Sequence, residues 1–535
     1  MAPTGTQHFP AGGRPSGARP LGAPSFVAAR FALWFVALFV ICWSALPELL
    51  QTVPHADNVE QLNWAHALQW GYLKHPPLPT ALLWTASAAV GPSALLTYFL
   101  AMACVGASLL IIWRCVLVLG GPGASNMALT ALLLTSADYY LMGRGSFLNH
   151  NTVMLPFVAA SAWAVLQIVR DAPGQPAWRP WLLLGLVQAL GLLTKYQMAI
   201  IIAANAAALL ACGPWRQPGR AGAFAGHVLL CAVATALPLL PHFFWLQQHA
   251  FSSFTYAEHN LLADLPILQR IGHTLGFLVQ QVGRLAPAAV ALGLALLLQR
   301  RQMQDAASAP GGPTAIPMVA AVERKLARAL LYLACVPLGI VVGLALVGGV
   351  APQNHWGASA TLLLPLLLAT RLPAARALRP VAALAGVLTV QVVAVIWNVV
   401  VAFQAPGFHH RFPAPALAAL AQDYWRQHEP GPLRVVVGPD WDAGAIALFL
   451  PGHPAVLASG NRGQAPWVTD DELEHCGALI FWRPEQAAQD QVGAAIAARI
   501  EYPVTLQSPA RYGGVSTIAA GILAPTAPGC GGTAP

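Results

Sequence analysis

The sequence predicts a polytopic α-helical membrane protein with a small C-terminal α/β domain outside the membrane. Of its 535 residues, 57% are hydrophobic and only 9% are charged, and the mean hydropathy is +0.59. Soluble domains carry about 25% charged residues, whereas this chain concentrates its apolar residues in repeated runs long enough to cross a bilayer. From about Gln404 the long runs give way to short strand-like runs, which indicates a separate domain.

A spanning helix needs roughly 17–25 mostly apolar residues. By this measure the sequence predicts about 11 spans, whereas segment 79–91 is too short and is typical of a re-entrant or interfacial helix. Segments 181–194 and 197–212 are short and flank Lys195, so we expect their shared turn to be sunk within the protein. The predicted spans are 29–49, 94–118, 126–142, 152–169, 181–194, 197–212, 222–247, 272–299, 327–349, 357–370 and 381–403.

The basic residues predict the orientation of the chain. They cluster in short loops between apolar runs, and placing these loops in the cytoplasm puts the N-terminus inside and the C-terminal domain outside. The net charge of +8 is therefore explained by membrane topology, and nucleic acid is not expected as a partner. Residues 1–28 are expected to form a disordered cytoplasmic tail. The abundance of Ala, Gly and Pro is typical of a bacterium with a high-GC genome, which favours the inner membrane and a periplasmic C-terminal domain.

Residues 404–535 predict the soluble α/β domain. The runs LRVVVG, PAVLAS, GALIFW and STIAAGILA predict strands, and DAGAIALFL and EQAAQDQVGAAIAARI predict helices between them. Cys476 and Cys530 lie in this region, and either a disulfide or two free thiols fits the sequence. The other six cysteines form no CxxC pair, so a metal cluster is not expected.

The first outer loop, 50–93, contains the stretch HADNVEQLNWAHALQWGYLKHPPLPT, in which acids, histidines and tryptophans directly follow a spanning run. Apolar residues recur at helical spacing from Val59 to Leu68, which predicts an amphipathic helix at the membrane interface. The Pro76-Pro77 pair ends this helix and restricts the residue before it. Lys74 and His75 are thereby fixed beside a membrane surface, where a lysine and an imidazole are suited to binding a phosphate. Interfacial snorkelling is the alternative explanation for the lysine.

Further outer loops bring more polar residues to the same side of the membrane. Such residues are costly in lipid and tend to face a cavity or one another. Acids, cations and histidines together indicate a site for a charged, partly lipidic substrate. The residues are Arg144, His150 and Asn151 in DYYLMGRGSFLNHN, Lys195 between two apolar runs, His259 in SFTYAEHN, and His355 and Trp356 in PQNHW.

An acid just after the first span, followed by WGYLKHPPL, resembles the first outer loop of the GT-C glycosyltransferases of family 39. These are the protein-mannosyltransferase-like group that includes the aminoarabinose transferases of lipid A. GLLTKY, SFTYAEHN and NHW follow in the expected order, and the resemblance covers roughly residues 30–400. It implies a GT-C transmembrane domain at 29–403 with its catalytic outer loop at 50–93. It also implies transfer of a sugar from a polyprenyl-phosphate carrier to a hydroxyl or phosphate acceptor on a glycolipid, polymer or protein at the periplasmic face.

The resemblance and the local chemistry together assign roles to individual residues. Asp57 is expected to be the general base, with Glu60 one helical turn away as a second catalytic candidate. An N-cap role for Asp57 before a helix at 58–70 and a solvated position for Glu60 are the alternatives. Donor phosphate binding is assigned to Lys74, His75, Arg144 and Lys195. The alternatives are an ion pair with Asp138 for Arg144 and snorkelling to the interface for Lys195. Substrate binding is assigned to His150, Asn151, His259, His355 and Trp356, and packing at the interface is the alternative for His355 and Trp356.

Two departures from the family pattern affect the chemistry. His259 matches a position where some relatives place a metal ligand beside an acid of the PPL loop. The residue in that loop here is Lys74, so no cofactor is required and a divalent metal is not favoured. Many relatives carry a second acid where this chain reads LNHNT, and an amide cannot replace a carboxylate.

The expected partners are a polyprenyl-phosphate sugar donor, a lipid or glycan acceptor and membrane lipids. The alternatives are a transporter or flippase of a lipid-linked sugar, which predicts internal repeats that are not evident, and a non-catalytic scaffold.

Overall fold

The structure, a computed structural model, describes residues 26–120, 124–170, 177–216, 219–261, 265–308, 323–372, 378–526 and 530. Residues 26–404 of these ranges are almost entirely helical. The helices are α1 (Phe26–Leu50), α2 (Ala56–Trp64), α3 (Leu78–Val90), α4 (Ala94–Gly120), α5 (Ser125–Ser136), α6 (Tyr139–Gly143), α7 (His150–Arg170), α8 (Trp178–Thr194), α9 (Met198–Cys212), α10 (Ala221–Gln248), α11 (Ser252–Leu261), α12 (Ile267–Ser308), α13 (Arg324–Leu346), α14 (Gly357–Ala360), α15 (Leu364–Arg371) and α16 (Pro380–Gln404).

Seven helices within the described ranges are long and apolar enough to cross a membrane: α1, α4, α7, α10, α12, α13 and α16. Each coincides with a predicted span, so the multi-pass architecture is confirmed, but the predicted number of 11 spans is not. The other predicted segments form shorter helices. In segment 126–142, for example, Asp138 interrupts the helix because its carboxylate accepts a hydrogen bond from the Tyr140 amide and begins α6.

The N-terminal part of the chain differs slightly from its expected limits. Helix α1 begins at Phe26, three residues inside the segment 1–28 that the sequence predicts as a tail, and residues 1–25 lie outside the described part of the chain. Segment 79–91 forms α3, a helix of 13 residues, which is too short to span a bilayer, as the sequence predicts.

The C-terminal region forms the predicted small α/β domain. Its helices are α17 (Phe408–Arg411), α18 (Ala414–His428), α19 (Asp440–Ala447), α20 (Asp470–Cys476), α21 (Ala488–Val492) and α22 (Ala494–Ala497), and its strands are β1 (Val435–Gly438), β2 (Ala455–Ala458), β3 (Ala478–Trp482), β4 (Glu501–Pro509) and β5 (Val515–Leu523). The sheet order is β2-β1-β3-β5-β4. Strand β1 is parallel to β2 and β3, whereas β5 is antiparallel to β3 and β4.

Two local features of this domain differ from the sequence prediction. The predicted helix at 485–500 is broken into α21 and α22 at Gly493, whose φ of 86° is a conformation that only glycine adopts readily. Strand β4 was not predicted, because its sequence EYPVTLQSP is polar and contains Pro503. Proline is tolerated there because β4 lies at the edge of the sheet.

A disulfide joins Cys476, at the end of α20, to Cys530. Of the two possibilities that the sequence left open, the structure therefore has the disulfide. Replacing Cys476 with serine is expected to lower the free energy of unfolding of this domain by about 2–4 kcal/mol, because the bond closes a loop of 54 residues that the unfolded chain otherwise leaves free. Amide hydrogen exchange in peptides from β3 and β5 measures this loss.

Cys335→Ser is the matched control, because Cys335 is an exposed free thiol in the membrane part. Equal exchange protection in the two serine variants would contradict a stabilising role for the disulfide.

Candidate active site

A cavity of about 290 Å³ lies where the beginning of α2, the loop after α6, the beginning of α7 and the turn before α9 meet. It contains most of the side chains that the sequence predicts to be in the site, although they come from loops far apart in the chain. The predicted site residues that line it are Asp57, Glu60, His75, Arg144, His150, Asn151, Lys195 and His355. The outer loops that the sequence analysis expected to converge therefore meet at this cavity.

Asp57 is oriented by Asn149 and does not cap a helix. Helix α2 begins at Ala56, so Asp57 lies in its first turn, and the N-cap position belongs to His55. The Nδ2 group of Asn149 donates a hydrogen bond of 2.7 Å to Oδ2 of Asp57. The N-cap alternative for Asp57 is therefore wrong: its carboxylate is turned towards the loop before α7 and into the cavity.

The orientation of the Asn149 side chain follows from its own contacts. Its Oδ1 atom accepts hydrogen bonds of 3.0 Å from the backbone amides of Asn151 and Thr152, and so caps the first turn of α7. Because the carbonyl end of the amide is committed to the helix, the NH₂ end faces Asp57. A single asparagine thus connects the beginning of α7 to the carboxylate in α2.

Helix α2 is short and ends at Trp64, rather than extending to Trp70 as predicted. Buried polar side chains hold it in place. Asn58, which is fully buried, donates to Thr97 at 2.7 Å and accepts from the Leu148 amide at 3.2 Å. These contacts join α2 to α4 and to the loop before α7, which fixes one wall of the cavity.

Glu60 and Lys74 form an ion pair that includes an acid from the C-terminal domain. The ammonium of Lys74 contacts the Glu60 carboxylate and lies 3.8 Å from Oδ2 of Asp440, at the beginning of α19. Glu60 lines the cavity, whereas Lys74 lies behind it. The solvated alternative for Glu60 is therefore wrong, because its side chain is largely buried and paired.

The electrostatics of this pair are strongly coupled. Burial and, less strongly, the nearby Asp440 carboxylate raise the pKa of Glu60 to about 7, against the attraction of Lys74. Burial disfavours the charge on Lys74, but Glu60 and Asp440 outweigh it, so the pKa of Lys74 is raised. Lys74 consequently remains protonated at neutral pH, and Glu60 titrates near neutrality.

The C-terminal domain packs directly on α2 at this point. Asn63 donates a hydrogen bond of 3.1 Å to Asp440, and the Trp441 indole donates one of 3.2 Å to the carbonyl of Pro54. Gly444 permits the close approach, because a Cβ there would lie 2.5 Å from a methyl group of Val59. The domain and the helix that carries Asp57 are thereby held as one unit.

Two cationic side chains face the cavity from other elements. Lys195, in the turn between α8 and α9, donates to Oδ1 of Asn151 at 2.5 Å, and burial lowers its pKa to about 7 although Asp57 acts in the opposite direction. Arg144 does not pair with Asp138 as the alternative proposed, since Asp138 accepts from Arg284 at 2.9 Å. The guanidinium of Arg144 instead lies over the Phe147 ring, 6.0 Å from the centroid.

The KHPP segment places His75 against His150, with ring centroids 4.0 Å apart. A turn closed by reciprocal backbone hydrogen bonds between Tyr72 and His75 holds it there. Burial, together with His150 and Lys195, keeps the pKa of His75 well below its usual range, so the ring is neutral and offers one N–H donor. Gly71 precedes this turn because a Cβ would lie 2.3 Å from the Trp245 ring.

The remaining predicted residues lie apart from the cavity or cannot be assigned. Trp356 is 8% exposed and packs with Phe277 and Val341, while its backbone carbonyl accepts from Gln197. His259 belongs to α11, but its side chain lies outside the described part of the chain. Among the residues that the structure describes, no group of three or more His, Cys, Asp or Glu side chains is arranged to hold a metal ion.

The sequence prediction missed three important residues: Asn149, Asp440 and Arg284. Asn149 stands in the LNHNT motif, where an asparagine before a helix is a recognisable capping signal. Asp440 follows strand β1, and the end of a parallel strand next to a helix is a common site for functional side chains. Arg284 is a single charge inside a long apolar helix, a position that is costly without a partner or a ligand.

Comparisons with known proteins agree with the fold. Residues 74–245 match the family model described as dolichyl-phosphate-mannose-protein mannosyltransferase. Two relatives from Rhizobium johnstonii are the lipopolysaccharide core galacturonosyltransferases RgtB, 24% identical over 82% of this chain and 85% of its own length, and RgtA, 27% identical over 59% and 60%. The crystal structure of ArnT from Cupriavidus metallidurans bound to undecaprenyl phosphate has the same fold, with a TM-score of 0.52, 12% identity and coverage of 92% of this chain and 98% of that one. The resemblance indicated by the sequence motifs is therefore confirmed.

Asp440→Asn is expected to lower the pKa of Glu60. The reason is that Asp440 is one of the groups that raise this pKa, so its neutralisation keeps the Glu60 carboxylate ionised to a lower pH. The measurement is the pH dependence of the Glu60 carboxyl band in infrared spectra of the purified wild type and variant, with Glu60→Gln identifying the band.

Asp423→Asn is the matched control in the same domain, because the Asp423 side chain is 71% exposed. A Glu60 titration that is identical in wild type and Asp440→Asn would contradict the coupling between the C-terminal domain and Glu60.

Proposed function

We propose that this membrane glycosyltransferase of the GT-C type transfers a sugar from a polyprenyl-phosphate carrier to a hydroxyl group of a lipid-anchored glycan at the periplasmic face of the bacterial inner membrane. The observation that carries the proposal is the carboxylate of Asp57, oriented by Asn149 in a cavity that also contains Lys195 and Arg144. The galacturonosyltransferases among its relatives are named for the lipopolysaccharide core, which supports a core saccharide as the acceptor.

In this mechanism Asp57 is the general base. Its carboxylate takes the proton of the acceptor hydroxyl, whose oxygen attacks C1 of the donor sugar. The bond from C1 to the phosphate oxygen breaks, and the polyprenyl phosphate leaves with the electron pair. Asn149 holds one oxygen of Asp57, which leaves the other free for the hydroxyl proton. Asp57 needs no second carboxylate for this chemistry, which fits the absence of an acid in LNHNT.

The leaving phosphate requires positive charge, which Lys195 and Arg144 supply. The pKa of Lys195, about 7 because of burial, rises when a phosphate anion lies beside it, so the lysine is fully charged when the donor is bound. The neutral His75 adds a hydrogen-bond donor. Lys74 contacts Glu60, so a donor phosphate would have to displace that carboxylate to reach it. We therefore assign the phosphate primarily to Lys195 and Arg144, and to Lys74 the positioning of Glu60.

The disulfide supports the proposed orientation. Disulfides persist in the periplasm and are rare in the cytosol, so the bond between Cys476 and Cys530 favours a C-terminal domain on the periplasmic side. The cavity against which this domain packs is then periplasmic as well. Alkaline phosphatase fused after residue 535 is expected to be active, and an inactive phosphatase fusion that accumulates to normal levels would contradict this topology.

Asp57→Asn is expected to reduce the turnover number by about 10²–10⁴-fold, the contribution typical of a general base. The substitution keeps the size of the side chain but removes its basicity. The measurement is release of free undecaprenyl phosphate by purified protein in detergent, with undecaprenyl-phosphate sugars as donors and a membrane lipid extract as acceptor. Donor binding, measured separately, is expected to persist.

Asp423→Asn serves as the control, because it removes an exposed carboxylate that does not line the cavity. Full activity of Asp57→Asn would exclude Asp57 as the base. Tight donor binding by the wild type without release from any donor would instead support a transporter of a lipid-linked sugar.

A further inference from the structure

Residues 70–72, which lead into the KHPP turn, are held from one side by α10 and α11. The Nδ1 atom of His242, in α10, lies 2.5 Å from the carbonyl oxygen of Trp70, and the hydroxyl of Ser253, in α11, donates to the carbonyl of Tyr72 at 2.9 Å. His242 is 4% exposed and Ser253 is fully buried, so these bonds form away from water. Side chains of α10 and α11 therefore determine where this part of the loop lies.

The same histidine also contacts the turn between α8 and α9. Its Nε2 atom lies 2.9 Å from the hydroxyl oxygen of Tyr196, the residue after Lys195. A carbonyl oxygen only accepts, so the bond to Trp70 requires the proton on Nδ1. A neutral imidazole carries one N–H, which leaves Nε2 as the acceptor for the Tyr196 hydroxyl. Each nitrogen of the His242 ring is thus bonded to a different segment of the chain.

The position of the Tyr196 hydroxyl is itself fixed. The Tyr196 ring stacks on the Phe254 ring of α11, with the centroids 4.7 Å apart and an angle of 14° between the planes. Phe254 directly follows Ser253, so the first turn of α11 contacts both the loop at Tyr72 and the turn at Tyr196. His242 and the beginning of α11 therefore form a common support for two segments from distant parts of the chain.

Each supported segment brings one group into the active-site cavity. The KHPP turn carries His75, and Lys195 directly precedes Tyr196. His75 and Lys195 both line the cavity, whereas His242 is not among its lining residues. The bonds of His242 connect residues that are 172 positions apart at Trp70 and 46 positions apart at Tyr196, so local structure alone does not set the spacing of the two groups in the cavity.

We infer that His242 is a positioning residue for the donor phosphate, and that its two hydrogen bonds set the distance between His75 and Lys195. This inference rests on the proposed function, in which these two groups bind the same phosphate. An anion held by two groups at once is bound tightly only if both can reach it, so a shift in either segment weakens binding. Asp57 takes its direction from Asn149, so a change at His242 is expected to leave the acceptor side of the reaction unaffected.

Tyr196→Phe is the first test, because it removes the hydroxyl group and keeps the aromatic ring. The measurements are the Kd of undecaprenyl phosphate for the purified protein in detergent, and the KM values of donor and acceptor from the release of undecaprenyl phosphate. Loss of one hydrogen bond is expected to raise this Kd and the donor KM by about 3- to 10-fold and to leave the acceptor KM unchanged.

His242→Leu tests whether the hydroxyl acts through the histidine ring. This variant forms neither hydrogen bond, so it is expected to raise the Kd at least as much as Tyr196→Phe. The double variant Tyr196→Phe/His242→Leu is expected to raise the Kd no further than His242→Leu alone, because the hydroxyl has then already lost its partner. Independent effects, which would multiply in the double variant, would contradict a shared role.

His227→Leu is the matched control, because His227 lies on the same helix and stacks on Trp181. It is expected to keep the wild-type Kd. An unchanged Kd and donor KM in Tyr196→Phe, or an equal rise in the donor and acceptor KM, would overturn the inference. If His242→Leu does not fold, Tyr196→Phe still decides the question. A wild-type protein that binds undecaprenyl phosphate but releases none from any donor would contradict the proposed function instead, while the Kd comparison would still decide the role of His242.

Discussion

The hydrogen bond between Asn149 and Asp57 is the contact on which the geometry of the candidate active site depends. It joins two outer loops that are 92 residues apart in the chain. Since the other end of the Asn149 amide caps α7, the carboxylate of Asp57 takes its direction from a membrane helix, not from its own short helix. A carboxylate held in this way is pre-organised for the base role proposed above, because its orientation does not depend on the substrate.

The second constraint is the attachment of the C-terminal domain to α2. A nine-residue helix is too short to be stable alone, and this one is held by buried polar bonds on the membrane side and by α19 on the other. Asp440 makes the attachment electrostatic as well as steric, because it lies close to the ammonium of Lys74. Movement of the domain would consequently change the charge environment of Glu60, so the soluble domain belongs to the active-site architecture.

Sequence reasoning succeeded where the signal was local or long and apolar. The seven long spans and strands β1, β2, β3 and β5 each follow from a pattern within one stretch of chain. It was less successful where a contact joins distant stretches. Asp440 lies 366 residues after Lys74, so no spacing rule connects them. The same limitation explains Trp356, an aromatic residue in a promising motif that packs into an apolar cluster that the chain assembles only in three dimensions.

The balance of charge in the cavity explains how so many ionisable groups are tolerated in one buried place. Glu60 is compensated by Lys74, which leaves Asp57 facing Lys195 and Arg144. With the pKa of Lys195 near 7, the empty site can shed one positive charge and approach neutrality, with Asp57 balanced by Arg144. Arrival of a phosphate diester adds one negative charge and favours protonation of Lys195, so the site returns to balance. In the proposed mechanism, donor binding therefore draws a proton onto the lysine, and Asp57 is the carboxylate that accepts the proton of the acceptor.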